Sequence, residues 1–424
     1  MKPRNKFQKE IAELSKQLPK ITRTQIKWGY KHCVEHIGRR TAKGVISCFE
    51  CGHSWTNKDM AIEECACPSC GMKLKIETTR KRTNSSYEYF CIITECKGYQ
   101  VIRFFYIDYR AKVGEKAKYF HSEVIQRWIA TNGKTIVMAK LRGLFGFYDT
   151  WQFCSSLEIR PDKSLYNAIP TCIYPRQKLI PEIKRSGYKG DFYELTPLDL
   201  FLYLLTENKA ETLLKAGQTK SLKYFAYNQG YKNISNYWTP IKICIRNKYN
   251  INDVSLWCDY IDLLHFFGKD LHNAKYVCPA DLNAEHDRYV EKKRAYIKQQ
   301  QKEEDKKRAL EDELLFQEMK SKFFGISFTD GQVQVRVLES VQEIMQEGDI
   351  MHHCVFTNDY HLKTDSLILS ACIGEKRLET VEISLSKLQV IQSRGVCNKN
   401  TKYHNQIVGL VNKNMKQIKK RLVA

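Results

Sequence analysis

Two Cys-x-x-Cys pairs constrain the fold of this chain more than any other feature of its sequence. Cys48 and Cys51 form the first pair, and Cys67 and Cys70 form the second after fifteen intervening residues. A Cys-x-x-Cys turn aims two thiolates at one ion, and two such turns complete a tetrahedral site. Zinc suits this site because it binds sulfur well and has no redox chemistry of its own. The spacing therefore predicts a zinc ribbon with one structural Zn²⁺ per chain.

The residues around the two pairs refine this prediction. Gly52 and Gly71, one position past each pair, supply the backbone freedom that such a turn needs. Cys65 is a competing ligand, and His53 could replace one thiolate. Because four thiolate ligands leave no open coordination position, the predicted metal is structural and not catalytic.

The interpretation of the other cysteines depends on the compartment. The first twenty residues are charged throughout and lack the apolar segment of a secretory signal. No stretch approaches the roughly 18 consecutive apolar residues of a membrane span. We therefore expect a cytoplasmic protein without membrane insertion, in which metal ligation is favoured over disulfides. Cys91 and Cys96 are then buried free cysteines, or half of a second metal site whose other half is not evident.

The charge of the chain indicates a polyanionic partner. Lys and Arg number 69 against 47 Asp and Glu among 424 residues, which gives a net charge of +22. Such a surplus favours nucleic acid, because phosphates are neutralised and counterions are released on binding. The alternative is a protein that is merely basic. Hydrophobic residues make up 43% of the chain, which argues against wholesale disorder.

Apolar periodicity predicts an α+β multidomain fold with a zinc ribbon and β-rich module, a helical middle and a C-terminal α+β domain. The predicted segments are a basic helical N-terminus (1–40), the ribbon and β-rich module (41–160), a helical domain (161–283), a long charged helix or linker (284–324) and the C-terminal domain (325–424). One helix is predicted to begin with Thr196 as N-cap and Pro197 as its first residue, and to end at Gly217.

The long charged segment contains no Gly or Pro over its length and has nearly balanced charges. We expect a solvated helix supported by ion pairs such as Glu303–Lys307 and Glu304–Arg308 at i and i+4. A coiled-coil dimer is the alternative, although no apolar heptad is sustained.

A basic and aromatic stretch around the cysteine pairs is the candidate nucleic-acid surface. Its residues are Arg39, Arg40, Lys43, Lys73, Lys75, Arg80, Lys81, Arg82, Tyr87 and Tyr89. Tyr87, Tyr89 and the adjacent Phe90 could stack on exposed bases while the cations bind phosphates. The alternative is that these aromatic side chains face the core and that only the charges are exposed.

A second cluster of reactive residue types lies in the C-terminal hundred residues, at His353, Cys354, Glu382, Gln392, Arg394 and Asn398. A cysteine beside a histidine could be an activated nucleophile. Glu382 could be an acid or base, or could orient the histidine. The side chains of Gln392, Arg394 and Asn398 suit a phosphate, an amide or a base edge.

The opposing interpretation is a buried polar network, because sequence neighbours in a strand point to opposite faces. Metal binding by the adjacent residues His352, His353 and Cys354 is less favoured still. We expect a corner between a helix and a strand after Gly348, which would bring His353 and Cys354 toward the turn at residues 392–398. Gly395 would let that turn approach a bound group.

The same C-terminal segments resemble the PcfJ-like family, whose members are carried by conjugative plasmids and integrated mobile elements of bacteria. The resemblance rests on three short motifs: His353-Cys354-Val355, Thr380-x-Glu382-Ile383 and Gln392-x-x-Gly395-x-x-Asn398. A zinc ribbon leading into aromatic-rich strands is also similar to that family. The resemblance implies a setting in DNA mobility rather than a particular reaction.

These observations together predict a zinc-containing nucleic-acid-binding protein of a mobile genetic element that acts in DNA transfer or processing, with DNA favoured over RNA. One alternative is an enzyme that acts on a nucleotide or nucleic acid through the C-terminal residues, and whether the chain is an enzyme stays open. Another is a scaffold for conjugation or other mobile-element proteins. No Walker A loop, His-Glu-x-x-His motif or dinucleotide glycine fingerprint is present in the sequence.

Overall fold

Four sheets and twelve α-helices occur in the part of the chain that the computed structural model describes, residues 1–57, 59, 61–145 and 148–423. The chain divides into two units, Met1–His286 and Asp287–Ala424. The mixed α+β class predicted from the sequence is confirmed. The finer division into five segments stays a prediction.

The first unit begins with two helices and continues through thirteen strands into a helical part. The helices are α1 (Lys6–Gln17), α2 (Arg23–Cys33), α3 (Pro181–Arg185), α4 (Pro197–Thr206), α5 (Ala210–Lys215), α6 (Thr219–Tyr227), α7 (Ile234–Arg246), α8 (Val254–Phe266) and α9 (Ala274–Val277). The strands are β1 (Ile37–Arg40), β2 (Val45–Cys48), β3 (Ser54–Thr56), β4 (Glu64–Ala66), β5 (Lys73–Thr78), β6 (Thr83–Cys96), β7 (Tyr99–Lys112), β8 (Lys118–Ile129), β9 (Thr135–Ala139), β10 (Arg142–Phe145), β11 (Tyr148–Trp151), β12 (Glu158–Arg160) and β13 (Cys172–Ile173).

The cysteine pairs belong to a small five-stranded sheet of order β3-β2-β1-β5-β4. The strands β1 and β5 pair in parallel, and the other neighbours are antiparallel. Ile46, Leu74 and Ile76 form its buried apolar centre together with two of the cysteines. This centre is small, which is consistent with a module that depends on a metal ion for its stability.

A six-stranded sheet of order β12-β9-β8-β7-β6-β13 forms the larger part of the first unit. Side chains alternate between its two faces, as the period of a strand requires. On one face Phe90, Phe105 and Ile107 pack against α2. Phe90 is therefore a core residue, and its prediction as a base-stacking residue is wrong.

The polypeptide beyond the sheet is helical, as predicted, but one predicted helix is two. Thr196 caps α4 by accepting a hydrogen bond from the Asp199 amide at 3.2 Å. The helix ends at Thr206, whose hydroxyl donates back to the Leu202 carbonyl at 2.7 Å. Glu207 then has an extended backbone, with φ −111° and ψ 109°, and the new helix α5 begins at Ala210.

The second unit contains five antiparallel strands in the order β14-β15-β16-β17-β18. Its elements are α10 (Leu282–Lys320, which begins just before the unit boundary), β14 (Ser327–Thr329), β15 (Gln334–Val337), α11 (Val341–Met351), β16 (Ser366–Ile373), β17 (Lys376–Ser384), β18 (Gln389–Arg394) and α12 (His404–Val423). Leu369, Val381 and Ile383 point to one face and pack with Ile407 and Val411 of α12. The other face carries polar side chains.

The long helix α10 occurs as predicted, but its predicted ion pairs do not. Neither Glu303–Lys307 nor Glu304–Arg308 is paired among the described residues, whereas Arg308 lies 3.4 Å from Asp305 and 3.6 Å from Asp359. The guanidinium of Arg308 also covers the Phe356 ring at 4.4 Å. Tertiary contacts therefore take Arg308 away from its helical neighbour.

Two further findings concern disulfide bonds and membrane-spanning helices. Cys33 of α2 and Cys172 of β13 form a disulfide, with Cα atoms 5.4 Å apart, which the expectation of metal ligation over disulfides did not anticipate. Among the helices of the described ranges, none has both the length and the apolar character that crossing a membrane requires.

Candidate functional site

The four cysteine sulfurs of the two Cys-x-x-Cys pairs meet at one point. All four Sγ atoms lie within 4.8 Å of one another. Cys48 and Cys70 are 3.9 Å apart, and Cys51 and Cys67 are 3.6 Å apart. Zn–S bonds of about 2.3 Å at tetrahedral angles place sulfurs about 3.8 Å apart. The cluster therefore has the dimensions of a tetrahedral metal site.

Matching turns build the two halves of this cluster. The amide of Gly52 donates to the Cys48 carbonyl at 3.0 Å, and the amide of Gly71 donates to the Cys67 carbonyl at 2.9 Å. Both glycines have positive φ, 81° and 70°. This is the left-handed conformation that favours glycine, as predicted. The Cys65 thiol and the exposed His53 ring, which stacks near Trp55, are not part of the cluster.

The small five-stranded sheet is attached to the large sheet through Glu50, one of the two residues between Cys48 and Cys51. Glu50 accepts hydrogen bonds from Tyr119 at 2.8 Å and from His36 at 3.2 Å, and its carbonyl accepts from the Ala117 amide at 3.0 Å. A Cβ at Gly52 would lie 2.8 Å from the Gly114 backbone. The two sheets therefore hold each other in a defined orientation.

The predicted phosphate-binding cations differ in whether they already pair with other residues of the protein. Lys73 pairs with Glu64 and Lys75 pairs with Glu35, each at 2.7 Å. Arg40 donates to Thr78 and to a backbone carbonyl, and Arg39 is half-buried. Among the described residues, no carboxylate partner is found for the four exposed cations Lys43, Arg80, Lys81 and Arg82. Three of these occupy the connection between β5 and β6.

The aromatic residues that follow this connection form an exposed cluster on the face of the large sheet opposite its core. Tyr87 is 61% exposed and stacks on Tyr106, with ring centroids 5.8 Å apart. Phe120, on the next strand, is 43% exposed and contacts Phe153. Tyr89 is half-buried and accepts a hydrogen bond from Trp151 at 2.8 Å. The sequence identified Tyr87 and Tyr89, but not Tyr106 and Phe120, which strand pairing brings to the same face.

The C-terminal candidate residues surround a cavity of about 560 Å³ in the second unit. One wall is the polar face of β17 and β18, and the other is the segment that follows α11. The lining residues are His353, Cys354, Val355, Asn358, Tyr360, Ile368, Thr380, Glu382, Gln392, Arg394 and Asn398. All six residues that the sequence singled out therefore lie around one cavity.

Strand register explains why residues distant in sequence meet here. Glu382 is paired with Gln392, and Thr380 with Arg394, across β17 and β18. These four side chains share one face because they are two positions apart on each strand. The corner begins at His352, which ends α11 with a φ of 54°, so the predicted corner after Gly348 lies three residues too early.

His353 is held at both ring nitrogens. Nε2 lies 2.7 Å from the Gly395 carbonyl, and because a carbonyl only accepts, Nε2 carries a proton. Nδ1 lies 3.2 Å from the Thr380 hydroxyl. No ring nitrogen is left to activate Cys354, and no hydrogen bond joins these two residues in the described structure. The ring therefore ties the corner to the turn after β18.

A buried carboxylate that the sequence did not identify supports this histidine. Glu347 of α11 is fully buried and accepts a hydrogen bond from Thr380 at 2.9 Å, while Arg377 lies 3.1 Å from its other oxygen. Burial raises the pKa of Glu347, and the contacts with Thr380 and Arg377 only partly oppose this. Glu347 occupies the helix face at an i, i+4 spacing from Met351, so its burial follows from the helix position rather than from a recognisable motif.

Glu382 does not orient the histidine, contrary to one of the two roles considered for it. Its carboxylate accepts hydrogen bonds from Gln392 at 2.8 Å and from Ser366. Gln392 also donates to the Tyr360 hydroxyl at 3.4 Å, so both of its N–H groups are directed at neighbours. Its carbonyl oxygen and the second lone pairs of Glu382 are left as acceptors at this end of the cavity.

The other end of the cavity presents donors. Arg394 is exposed and donates from one Nη atom to Asn400 at 2.9 Å, and no carboxylate pairs with it in the described residues. Asn398 lies beside it on the turn and is also exposed. Gly395 serves packing rather than ligand approach, since a Cβ there would meet the Lys399 carbonyl at 2.6 Å.

The backbone around the cavity contains a concentration of unfavourable conformations. Nine non-glycine residues have positive φ in the described chain, and four of them, His352, Asp359, Cys397 and Asn398, border this site. Such conformations are costly and concentrate at functional sites and ligand clamps.

The comparisons with known proteins concern this part of the chain. Residues 256–408 match the PcfJ-like protein family. The match confirms the resemblance recognised in the C-terminal motifs, and this PcfJ-like region begins in α8, upstream of residue 325. It contains both walls of the cavity. No curated protein and no solved structure matches the chain.

Proposed function

We propose that this protein is a zinc-containing nucleic-acid-binding protein of a mobile genetic element and that it acts in DNA transfer or processing. The observations that carry the proposal are the aromatic cluster of Tyr87, Tyr106 and Phe120 and the exposed cations Arg80, Lys81 and Arg82, which directly precede β6 in the chain. The match of the PcfJ-like region suggests the association with mobile elements, and the net charge of +22 supports a polyanionic partner.

The geometry favours single strands over duplexes. Bases of a single strand can stack on exposed aromatic rings, whereas those of a duplex are already stacked on each other. Arg82 precedes Tyr87 by five strand residues, a distance of about 16 Å at roughly 3.3 Å per residue. A single nucleic-acid strand whose bases stack on Tyr87 and Phe120 would place its neighbouring phosphates near Arg80, Lys81 and Arg82.

In this proposal the metal has a structural role. Cys48, Cys51, Cys67 and Cys70 would hold one Zn²⁺, which favours sulfur ligands in tetrahedral geometry. The ion would fix the two turns of the small sheet. Through the contacts of Glu50 with Tyr119 and His36, that sheet would in turn orient the connection that carries the exposed cations.

Fluorescence anisotropy of labelled single-stranded DNA, single-stranded RNA and duplex DNA, measured over a series of salt concentrations, tests the proposal. Replacing Arg80, Lys81 and Arg82 by Ala should lower the slope of log K against log salt by about 2, because each phosphate that is no longer neutralised removes about 0.7 from the slope. Tyr87→Ala should weaken binding by roughly 1–3 kcal/mol with little change in slope.

Two matched variants control for loss of charge and loss of an exposed aromatic side chain. A triple Ala replacement of the exposed residues Lys413, Lys416 and Lys419 removes the same charge from α12. Tyr231→Ala removes an exposed tyrosine from the helical part. Both should bind like the wild type. Equal losses in the control and test variants, or no binding to any of the three nucleic acids, would refute the proposal.

A second candidate function is a ligand-binding or catalytic site in the PcfJ-like region. It is favoured by the convergence of His353, Cys354, Glu382, Gln392, Arg394 and Asn398 on one cavity. The occupied ring of His353 argues against a Cys–His nucleophile, so Cys354 would contact a ligand rather than attack it. Gln392→Ala should then abolish transfer of the element without changing metal content or folding. Normal transfer by this variant would remove the candidate.

A further inference from the structure

We infer that the cavity of the PcfJ-like region binds a nucleoside monophosphate whose base carries an exocyclic amino group, either as a free nucleotide or at the end of a strand. The inference specifies the ligand of the second candidate function and rests on it. It does not depend on nucleic-acid binding by the first unit.

The size of the cavity is the first support. Its volume of about 560 Å³ lies within the range of roughly 300–1,000 Å³ that small-molecule sites occupy. Val355 and Ile368 supply apolar lining, while the remaining lining side chains are polar or can form hydrogen bonds. A few directed polar groups over an apolar base are typical of sites that fix the orientation of a ligand.

The end of the cavity lined by Glu382 and Gln392, called here the inner end, favours a ligand group that donates hydrogen bonds. Glu382 has its two oxygens only partly used by Gln392 and Ser366, and the Gln392 carbonyl has no partner in the described structure. These groups accept, and the protons of Gln392 are already directed at Glu382 and Tyr360. Carboxylates read amino groups of bases, such as N4 of cytosine. Thymine and uracil lack such a group.

The opposite end, lined by Arg394 and Asn398 and called here the outer end, favours an anionic ligand group. Arg394 keeps N–H groups beyond the one that binds Asn400, and Asn398 adds an amide beside it. Guanidinium groups recognise phosphate in a bidentate manner. Arg394 follows Gln392 by two strand residues, so the two ends are separated by about 7 Å along β18. A base edge and its phosphate can therefore occupy the two ends together.

Cys354 provides a direct measurement of occupancy because its thiol is exposed and lines the cavity. The full-length protein is treated with iodoacetamide, and alkylation is quantified by mass spectrometry. The exposed Cys154 in the other unit is the internal control. The probes are dCMP, dTMP, deoxycytidine, inorganic phosphate and a short 5′-phosphorylated single strand that begins with dC.

We expect dCMP to protect Cys354 at a concentration about tenfold or more below that of dTMP, without protecting Cys154. Deoxycytidine and inorganic phosphate should each protect about tenfold less well than dCMP, because each reaches only one end. Protection by the strand at lower concentration than dCMP identifies a strand end as the ligand. Protection by dCMP alone identifies the free nucleotide.

Two variants test the two ends separately. Glu382→Gln should remove the preference for dCMP over dTMP. Arg394→Ala should weaken the protection of Cys354 by dCMP to the level given by deoxycytidine. Arg421→Ala removes an exposed guanidinium from the end of α12 and should change neither.

The inference is overturned if no probe protects Cys354 from alkylation at millimolar concentration. It is also overturned if dTMP, or inorganic phosphate alone, protects Cys354 at the same concentration as dCMP. Tyr87→Ala separates this inference from the nucleic-acid proposal. It should weaken strand binding and leave the protection by dCMP unchanged.

Discussion

Replacing His353 by Ala tests most directly how the cavity is held together. The ring donates from Nε2 to the Gly395 carbonyl at 2.7 Å and contacts the Thr380 hydroxyl at 3.2 Å. Thr380 keeps Glu347 as a partner after the change. The Gly395 carbonyl is left without its side-chain donor at a buried position.

The expected cost follows from this difference between the two contacts. A buried polar group left without a partner costs about 1–3 kcal/mol. Since one of the two groups retains a partner, we expect the free energy of unfolding of the second unit to fall by about 2 kcal/mol in His353→Ala. The adjacent His352 is exposed and has a left-handed backbone conformation, which asparagine tolerates. His352→Asn should therefore change the free energy of unfolding by less than about 0.5 kcal/mol.

Native-state hydrogen exchange on the full-length protein measures this cost within one unit. Amides of β17 and β18 should exchange about thirtyfold faster in His353→Ala, the equivalent of about 2 kcal/mol. Amides of β7 in the other unit should not change. If amides of β17 and β18 exchange equally slowly in His353→Ala and His352→Asn, the ring contacts contribute nothing and His353 is free to act on a ligand.

Three further predictions concern the metal, a buried carboxylate and a close backbone contact. Purified protein should contain about one zinc per chain by elemental analysis, and Cys48→Ser should lose it and exchange faster across residues 41–78, whereas Cys154→Ser should not. Burial raises the pKa of Glu347 above its usual 4.5, so the folded chain holds this proton more tightly. The protonated carboxyl of Glu347 stabilises the fold below about pH 4.5, and this stabilisation is lost as the pH rises through the pKa of Glu347 in the folded protein. In urea unfolding, the wild type should therefore lose stability relative to Glu347→Gln as the pH is raised toward neutrality. Gly395→Ala should lower the melting temperature, because its Cβ would lie 2.6 Å from a backbone oxygen.

The local signals in the sequence were sufficient for several features. Cys-x-x-Cys spacing and the following glycines identified the four-cysteine cluster, because a turn of fixed length determines where both thiols point. Thr196 and Pro197 marked the start of a helix through capping chemistry that involves only neighbouring residues. The resemblance to the PcfJ-like family was recognised from short motifs at His353 and Gly395, which are identified without any knowledge of their partners in the fold.

Other features depend on residues far apart in the chain. Glu347 gave no signal, because only the packing of α11 on β17 buries it beside Thr380. The sequence predicts Lys73 and Lys75 as phosphate ligands, but it does not show that they pair with Glu64 and Glu35 in the folded chain.

The placement of the aromatic residues shows the same division. The run of residues 87–90 predicts a strand whose side chains alternate, but not which set faces solvent. Pairing with β7 and packing of α2 bury Phe90 and leave Tyr87 exposed. The sequence by itself identified the four-cysteine cluster, the start of the helix at Pro197 and the resemblance to the PcfJ-like family. The tertiary structure decided which charges are paired and which face is covered, because burial and ion pairing depend on partners that only the folded chain brings together.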